Sequence, residues 1–330
     1  MSNQISLAPQ HAQQLAASAI DSAIIAARGY ISIPPGSVYD WRQITAPHHL
    51  HSDTLLKRIL HQGALAYPLY RLGQPEAFTW VLRPDLPRIN GDGKPVKYEY
   101  PTGVENIFDL LPDYAAALAD PSVPIWLTEG CKKADALATA YGSTIVPINL
   151  NGVYGWRSTN AHGGKTAVVD MELIAWEGRR VVIAPDGDAR FNKGVQGAVQ
   201  RLGRLLLARY GVAEVSVLYL PQQASDSKIG VDDYLGQGHT ITDLEANLTS
   251  LGAVAASACV PLLAHPDTGE KLYLPPGYDV KAQTIIRRDA RGNELPIYDK
   301  VRRYFTVQAR MWHPDALDLK PETSHLKPCL

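Results

Sequence analysis

Three acidic elements lie along one stretch of this chain, each after an apolar run of strand-like character. Thr128-Glu129-Gly130 follows VPIWLT at 123–128, and Asp186-Gly187-Asp188 follows RVVIA at 180–184. The third, Gly230-Val231-Asp232-Asp233-Tyr234-Leu235, follows EVSVLYL at 214–220 through a loop that holds Asp226 and Lys228. Two aspartates separated by one glycine can point the same way, and at about 5 Å with an effective dielectric near 20 their repulsion is on the order of 3 kcal/mol. A divalent cation removes that cost. An all-oxygen ligand set suits Mg²⁺ or Mn²⁺, hard ions that keep waters and bind phosphates. Taken singly, each element has an ordinary reading: Asp-Gly-Asp is a common surface turn, and Asp232 is a natural N-cap of a short helix. Their order at successive strand ends argues for a shared site, because open parallel sheets bind ligands outside the carboxyl ends of their strands.

Cations surround these acids. Cys131, Lys132 and Lys133 open the helix after Glu129-Gly130, where lysines oppose the helix dipole. Phosphate binding would explain the placement, and two solvated lysines are the plain alternative. Between Arg179 and Arg209 seven Lys or Arg residues, Arg190 and Lys193 among them, face two acids, which suits a polyanion. The loop from Asn151 to Gly164 offers Trp156, Arg157 and Asn160 as strand contacts, with Trp156 free either to stack on a base or to pack locally. Other features carry less. Gly164-Lys165-Thr166 lacks the earlier glycine of a phosphate loop, Thr159 standing there. His48, His49 and His51 have no nearby Cys and fit no common zinc spacing, and Cys131 lacks the His that a thiol nucleophile needs.

The elements that must position these residues are legible as rhythm. From Pro121 to about Gly238, strands at 123–128, 144–149, 180–184 and 214–220 alternate with helices at 131–141, near 166–176 and near 194–209. That pattern implies a mostly parallel α/β sheet covered on both faces. Upstream, 8–28 reads as one amphipathic helix and Ser52 to His61 as a second; from Gly63 to Pro101 short runs broken by turns read as a small antiparallel β-rich subdomain. The tail from Pro261 reads as irregular β structure with a basic stretch, ending in a linker.

Composition sets the outer bounds. The chain has 330 residues, 45% of them hydrophobic and 20% charged, with net charge −1, so it is a globular protein of about two domains and not one basic all over. Three cysteines, far apart, exclude a disulfide framework and a cysteine-rich zinc site. No apolar run is long enough to span a membrane and the N-terminus shows no secretory signal, so a cytoplasmic protein without a membrane role is expected.

The run from Ile125 to Leu235 resembles a Toprim domain, the metal-binding fold of bacterial-type primases, topoisomerases and certain nucleases. The segment 80–103, with Arg83 and Lys97-Tyr98, is similar to the stretch that precedes that domain in bacterial replicative primases. Glu129-Gly130-x-Lys132-Lys133-Ala134-Asp135, Gly152-Val153-x-x-Trp156 and the Gly230 to Leu235 motif resemble those of Toprim-like primase proteins of plasmids, phages and integrative elements. There are departures. Replicative primases carry an Asp where this chain has Lys133, leaving one ligand missing or supplied by Asp135, and their zinc module has no counterpart here.

The resemblance implies a Toprim-type mostly parallel sheet flanked by helices and preceded by a smaller α+β subdomain. It divides the chain into a helical N-terminal accessory region (1–62), a primase-core subdomain (63–120), a Toprim domain (121–250) and a C-terminal extension or linker to a missing module (251–330). It makes Glu129, Asp186 and Asp188 catalytic, with Asp232 or Asp233 completing a shell around Mg²⁺ or Mn²⁺. Arg83, Lys97, Lys132 and Lys133 would hold template or nucleotide phosphates, beside Trp156, Arg157, Asn160, Arg190 and Lys193. The implied activity is synthesis of short primers from nucleoside triphosphates on single-stranded DNA for a mobile element, with a helicase or ATPase as partner. A Toprim nuclease and a catalytically inactive DNA- or partner-binding module are the alternatives.

Overall fold

The computed structural model describes residues 7–36, 53–101, 103–159, 165–221, 228–251, 261–264, 271–273, 278–281, 284–288 and 293–295. The chain forms two compact units, one of residues 1–158 and 167–252, the other of 159–166 and 253–330.

The first unit begins with α1 (Pro9–Ala17), α2 (Ser22–Arg28) and β1 (Ile31–Ile33), followed by α3 (Asp53–Gln62), β2 (Ala64–Leu69) and β3 (Thr79–Pro84). The single helix expected over 8–28 is two. Ala19 takes a positive φ of 56°, and Asp21 caps α2 by accepting from the Ile24 N–H at 2.8 Å, a side-chain bond that a continuous helix would forbid. Strands β2 and β3 fall in the antiparallel subdomain expected over 63–101, and β1, from the region expected to be helical, joins them in the order β1-β2-β3.

The larger sheet is built from β4 (Ile125–Thr128), β5 (Val146–Asn149), β8 (Arg180–Ala184), β9 (Glu214–Leu218) and β10 (Leu248–Ser250), with α4 (Cys131–Tyr141) after β4 and α5 (Lys193–Arg209) after β8. Two short strands, β6 (Arg157–Thr159) and β7 (Lys165–Ala167), lie between β5 and β8; α6 (Val231–Gly236) and α7 (Ile241–Ala246) follow β9. The strand order is β10-β9-β8-β4-β5, parallel throughout except for the edge strand β10. The mostly parallel α/β architecture read from the sequence is therefore present.

Period-two alternation sends the two sides of each strand into different clusters. Ile125, Leu127, Val181, Ile183, Val215 and Val217 pack with Val195, Val199, Leu202 and Leu206 of α5. Trp126, Val182 and Leu218 pack instead with Ala136 and Leu137 of α4 and with Val231 and Tyr234 of α6. That second cluster also takes Leu15, Ile20, Tyr30, Leu65, Tyr67 and Val81. The N-terminal segment is thus part of the same core, not an accessory to it.

No α-helix forms over 166–176. A 3-10 turn, Val169–Leu173, stands there instead, because buried Asp170 turns inward to accept from the Arg71 Nε at 2.9 Å and the Phe108 N–H at 2.8 Å. Arg179, counted with the basic edge, is fully buried and donates to the carbonyls of Ala175, Ala117, Val123 and Leu118. It staples loops together and offers nothing to a polyanion.

In the second unit the described residues from 261 onward form two antiparallel sheets, β11 (Pro261–Ala264) with β12 (Lys271–Tyr273), and β13 (Tyr278–Lys281), β14 (Thr284–Arg288) and β15 (Glu294–Leu295) in that order. Its β character agrees with the reading of the tail. The cations Arg291, Lys300, Arg302 and Arg303 and the terminal linker lie outside the described residues, as do His48, His49 and His51. No described helix is long and apolar enough to cross a membrane.

Candidate functional site

Adjacent parallel strands β4 and β8 end level with one another, Thr128 beside Ala184, so the residues that come after them meet at the carboxyl edge of the sheet. The Asp186 N–H donates to Glu129 Oε1 at 3.2 Å, which ties the two strand ends together. Burial raises the Glu129 pKa, and the neighbouring Asp186 raises it further. On the other side of Glu129, its carbonyl accepts from the Gly152 N–H at 2.8 Å. Gly152 has φ of 109°, open to glycine, and this is how the Gly152-Val153 motif turns back across the strand end.

From α4, Lys133 Nζ pairs with Asp186 Oδ1. Burial is the largest influence on that lysine and opposes its charge, but Asp186, Asp232 and Glu129 together hold its pKa above the ordinary value. Lys132, one residue earlier, donates to Ser18 Oγ at 2.6 Å and lies 3.4 Å from Asp232 Oδ2; burial lowers its pKa despite that carboxylate. Asp188 Oδ2 is 2.7 Å from Lys228 Nζ. The Gly187 N–H donates to the Ile229 carbonyl at 2.9 Å, which holds this segment, and with it α6, against the Asp-Gly-Asp turn. A Cβ at Gly230 would lie 2.6 Å from Lys133 Cε, so a larger residue there would have to displace the Lys133 side chain.

Glu129, Asp186, Asp188, Asp232, Lys132 and Lys133 thus converge at one edge, with Lys228 added. Asp233 does not join them. It accepts from the Gly230 N–H at 3.0 Å and is consumed in capping α6. The Asp232 reading as an N-cap is likewise replaced, Gly230 being the cap. Among the described residues no group of three or more His, Cys, Asp or Glu side chains is arranged to hold a metal. The expected carboxylate shell is not assembled, since lysines stand among the acids and Asp233 is turned to its cap. Two acceptors are nevertheless unspent: Asp188 Oδ1 and Asp232 Oδ1 are buried without a hydrogen-bond partner.

Asp135 does not replace the missing acid. It is fully buried, takes the Arg28 Nε and Nη2 (2.6 Å to Oδ1), and accepts from Tyr30 OH at 2.8 Å. Cys131 lies beside this network, and burial raises its thiol pKa well above the ordinary value, opposite to what a nucleophile requires.

The remaining sequence candidates scatter. Arg83 Cζ sits 5.7 Å over the Tyr98 ring; burial raises the Tyr98 pKa, Arg83 and Lys133 oppose the rise and Asp232 adds to it, so this pair borders the acidic edge. Lys97 and Lys193 are exposed. Trp156 is 3% exposed and packs in the α5-side core, so it has no face free for a base. Arg157 lies with its Cζ 5.6 Å over that ring. Asn160 and Asp226 fall outside the described residues. Arg190 is exposed and donates to the Tyr219 carbonyl at 2.9 Å. Sequence reasoning gave no role to Ser18 or Lys228. Only the small polar residue at the helix break and the single cation between Asp226 and Asp232 could have signalled them.

An α/β sheet with clustered carboxylates and lysines at its carboxyl edge is the class that the geometry defines. Residues 114–240 match a domain family described only as a domain of unknown function, DUF3854. An uncharacterized protein of Picosynechococcus sp. is 34% identical over 219 residues, and the chain spans 21% of its length. Among solved structures, the DnaG primase catalytic domain bound to ssDNA aligns with a TM-score of 0.47 and 18% identity, covering 76% of this chain and 78% of that one. The Aquifex aeolicus primase zinc-binding and RNA polymerase domains align at 0.42 and 13%, covering 74% and 57%. The primase fragment of the bacteriophage T7 primase-helicase protein aligns at 0.42 and 12%, covering 70% and 72%.

Proposed function

We propose that the chain is a primase-like nucleotidyltransferase that uses Mg²⁺ or Mn²⁺ to join nucleoside triphosphates into short primers on single-stranded DNA. The observation that carries this reading is the pair of buried, unpartnered carboxylate oxygens, Asp188 Oδ1 and Asp232 Oδ1, beside Glu129 and Asp186. A buried polar atom left unsatisfied costs about 1–3 kcal/mol, more when charged, and a fold tolerates that where a ligand repays it. Glu129, Asp186, Asp188 and Asp232 offer oxygen donors only, which fits a hard divalent ion. When bound, such an ion stabilises charge on the attacking and leaving oxygens of phosphoryl transfer.

The chain's own side chains supply the rest. Glu129, with its raised pKa, accepts the proton of an attacking 3′-hydroxyl. Lys132, Lys133 and Lys228 exchange carboxylate partners for phosphate oxygens as the nucleotide enters, while Arg83 and Lys97 hold the template backbone. The resemblance extends this reading to cytoplasmic work for a mobile element beside a helicase or ATPase.

A second reading, a nucleic-acid-binding module without catalysis, is favoured by one observation. Lys133, where the primases it resembles carry an acid, neutralises Asp186 directly. Incubation with single-stranded DNA, labelled nucleoside triphosphates and Mg²⁺ or Mn²⁺ separates the cases. New short oligonucleotides, absent with Asp186→Ala, support priming; shortened input strands indicate a nuclease; binding without product under either metal leaves the second reading.

A further inference from the structure

Beyond the acidic edge, Arg190, Phe191, Gln196 and Tyr219 line an open cleft of about 420 Å³, within the range of small-ligand sites. The 3-10 turn Gly187–Arg190 carries the chain away from Asp188 and presents Phe191, a residue 48% exposed. Asn192 then caps α5, accepting from the Gly194 N–H at 3.0 Å, which fixes where Phe191 stands. Three of the four lining residues hold one another. Arg190 donates to the Tyr219 carbonyl at 2.9 Å with its guanidinium carbon 5.5 Å from the Tyr219 ring centre, and Gln196 Nε2 donates to the Arg190 carbonyl at 2.7 Å. The Gln196 amide oxygen accepts nothing from the described residues. An exposed phenyl ring, a flat guanidinium already stacked on a tyrosine, and an uncommitted amide oxygen match one kind of ligand: a planar heterocycle with polar edges.

We propose that this cleft binds a nucleobase, stacked on Phe191 with the Arg190–Tyr219 pair beside it and the Gln196 amide at its edge. The base belongs either to a mononucleotide or to a single strand of nucleic acid. The inference shares with the proposed function only the presence of nucleotide ligands, and its test measures binding, not synthesis.

The experiment compares the full-length chain with Phe191→Ala and Phe191→Trp. One arm measures affinity for a short oligothymidylate and for its abasic counterpart. The other measures affinity for nucleoside triphosphates and for inorganic triphosphate. Phe191→Ala should weaken the base-bearing ligand of one arm about tenfold, leave the base-free control of that arm unchanged, and keep the wild-type melting temperature. Phe191→Trp should restore the affinity. The arm that responds identifies the source of the base. Equal affinity of wild type and Phe191→Ala in both arms overturns the proposal, as does equal loss on base-bearing and base-free ligands. If Phe191→Ala melts early, failure of Phe191→Trp to recover affinity at wild-type melting temperature overturns it too. Priming that persists without this dependence removes the cleft and leaves the function; the dependence without priming removes the function and leaves the cleft.

Discussion

Helix α4 carries charge on two faces, and the two are solved differently. Toward the N-terminal segment, Asp135 meets Arg28, whose Nη1 also reaches Asp109 Oδ1 at 2.6 Å. Tyr30 OH, the Tyr70 N–H and Asn149 Nδ2 supply further donors, so both carboxylates are satisfied although both are fully buried. Toward the sheet edge, Lys132 and Lys133 meet Asp232 and Asp186, and there Asp232 Oδ1 and the nearby Asp188 Oδ1 are left over. Acid–cation pairing on one helix makes a closed network on one face, where α4 supplies the acid, and an open one on the other, where it supplies the lysines. A closed network orients α4; an open one is available for exchange with a ligand.

The largest expected effect tests that contrast directly. Arg28→Met leaves Asp109 and Asp135 buried without their cation, which costs about 3–5 kcal/mol and lowers the melting temperature by roughly 10 °C. Asp188→Asn at the other face should change stability by no more than about 0.5 kcal/mol while abolishing primer synthesis. Thermal melting of both variants decides it. If Asp188→Asn destabilises as much as Arg28→Met, the sheet-edge cluster is structural and the contrast fails.

Trp156 and Phe191 extend the comparison to aromatic rings. Trp156→Ala empties a core position and should cost about 3–5 kcal/mol. Trp156→Phe should leave oligonucleotide affinity unchanged, which sharpens the correction of Trp156 from strand contact to core. A drop in affinity without a drop in stability would restore the stacking reading.

A smaller effect concerns the lysine that stands among the acids. Lys133→Ala leaves Asp186 and Glu129 without their nearest cation, so the metal-free protein should lose about 1 kcal/mol. Added Mg²⁺ should then raise its melting temperature more than that of wild type, since an ion that binds only the folded state stabilises by mass action. Equal Mg²⁺ shifts in the two proteins would mean that Lys133 and the ion do not compete.

The legibility of each residue depends on the kind of signal it carries. Glu129, Asp186, Asp188 and the lysines of α4 sit at strand ends marked by apolar runs, and local pattern located them. Asp135 and Asp233 have the same residue type and similar spacing, yet their roles depend on Arg28, 107 positions away, and on the Gly230 N–H. Spacing along the chain does not encode such partners. The break at Ala19 was signalled by Asp21, a capping residue inside an apparent helix, but the amphipathic rhythm on both sides outweighed it. Trp156 kept two readings because a tryptophan serves core and base equally well, and only its burial separates them.

The smallest effect concerns protons in the closed half of the molecule. Burial raises the Tyr30 and Tyr67 pKa values well above the usual 10, and Asp135 and Tyr100 respectively add to it. For such a group the folded state keeps its proton where the unfolded chain has lost it. Its contribution to stability is therefore complete below pH 10 and declines as pH rises through the window between the unfolded and folded values. Tyr30 and Tyr67 should resist an alkaline absorbance titration and ionise only as the fold opens, as should Tyr100, Tyr141 and Tyr210, which burial also raises. Arg28→Met should bring unfolding, and Tyr30 ionisation with it, to lower pH because the destabilised fold opens earlier; within the folded state Arg28 lowers the Tyr30 pKa, so its loss alone acts in the opposite direction. Asp188→Asn should leave both unchanged, and a shift there would mean that the two faces of α4 are coupled through the helix.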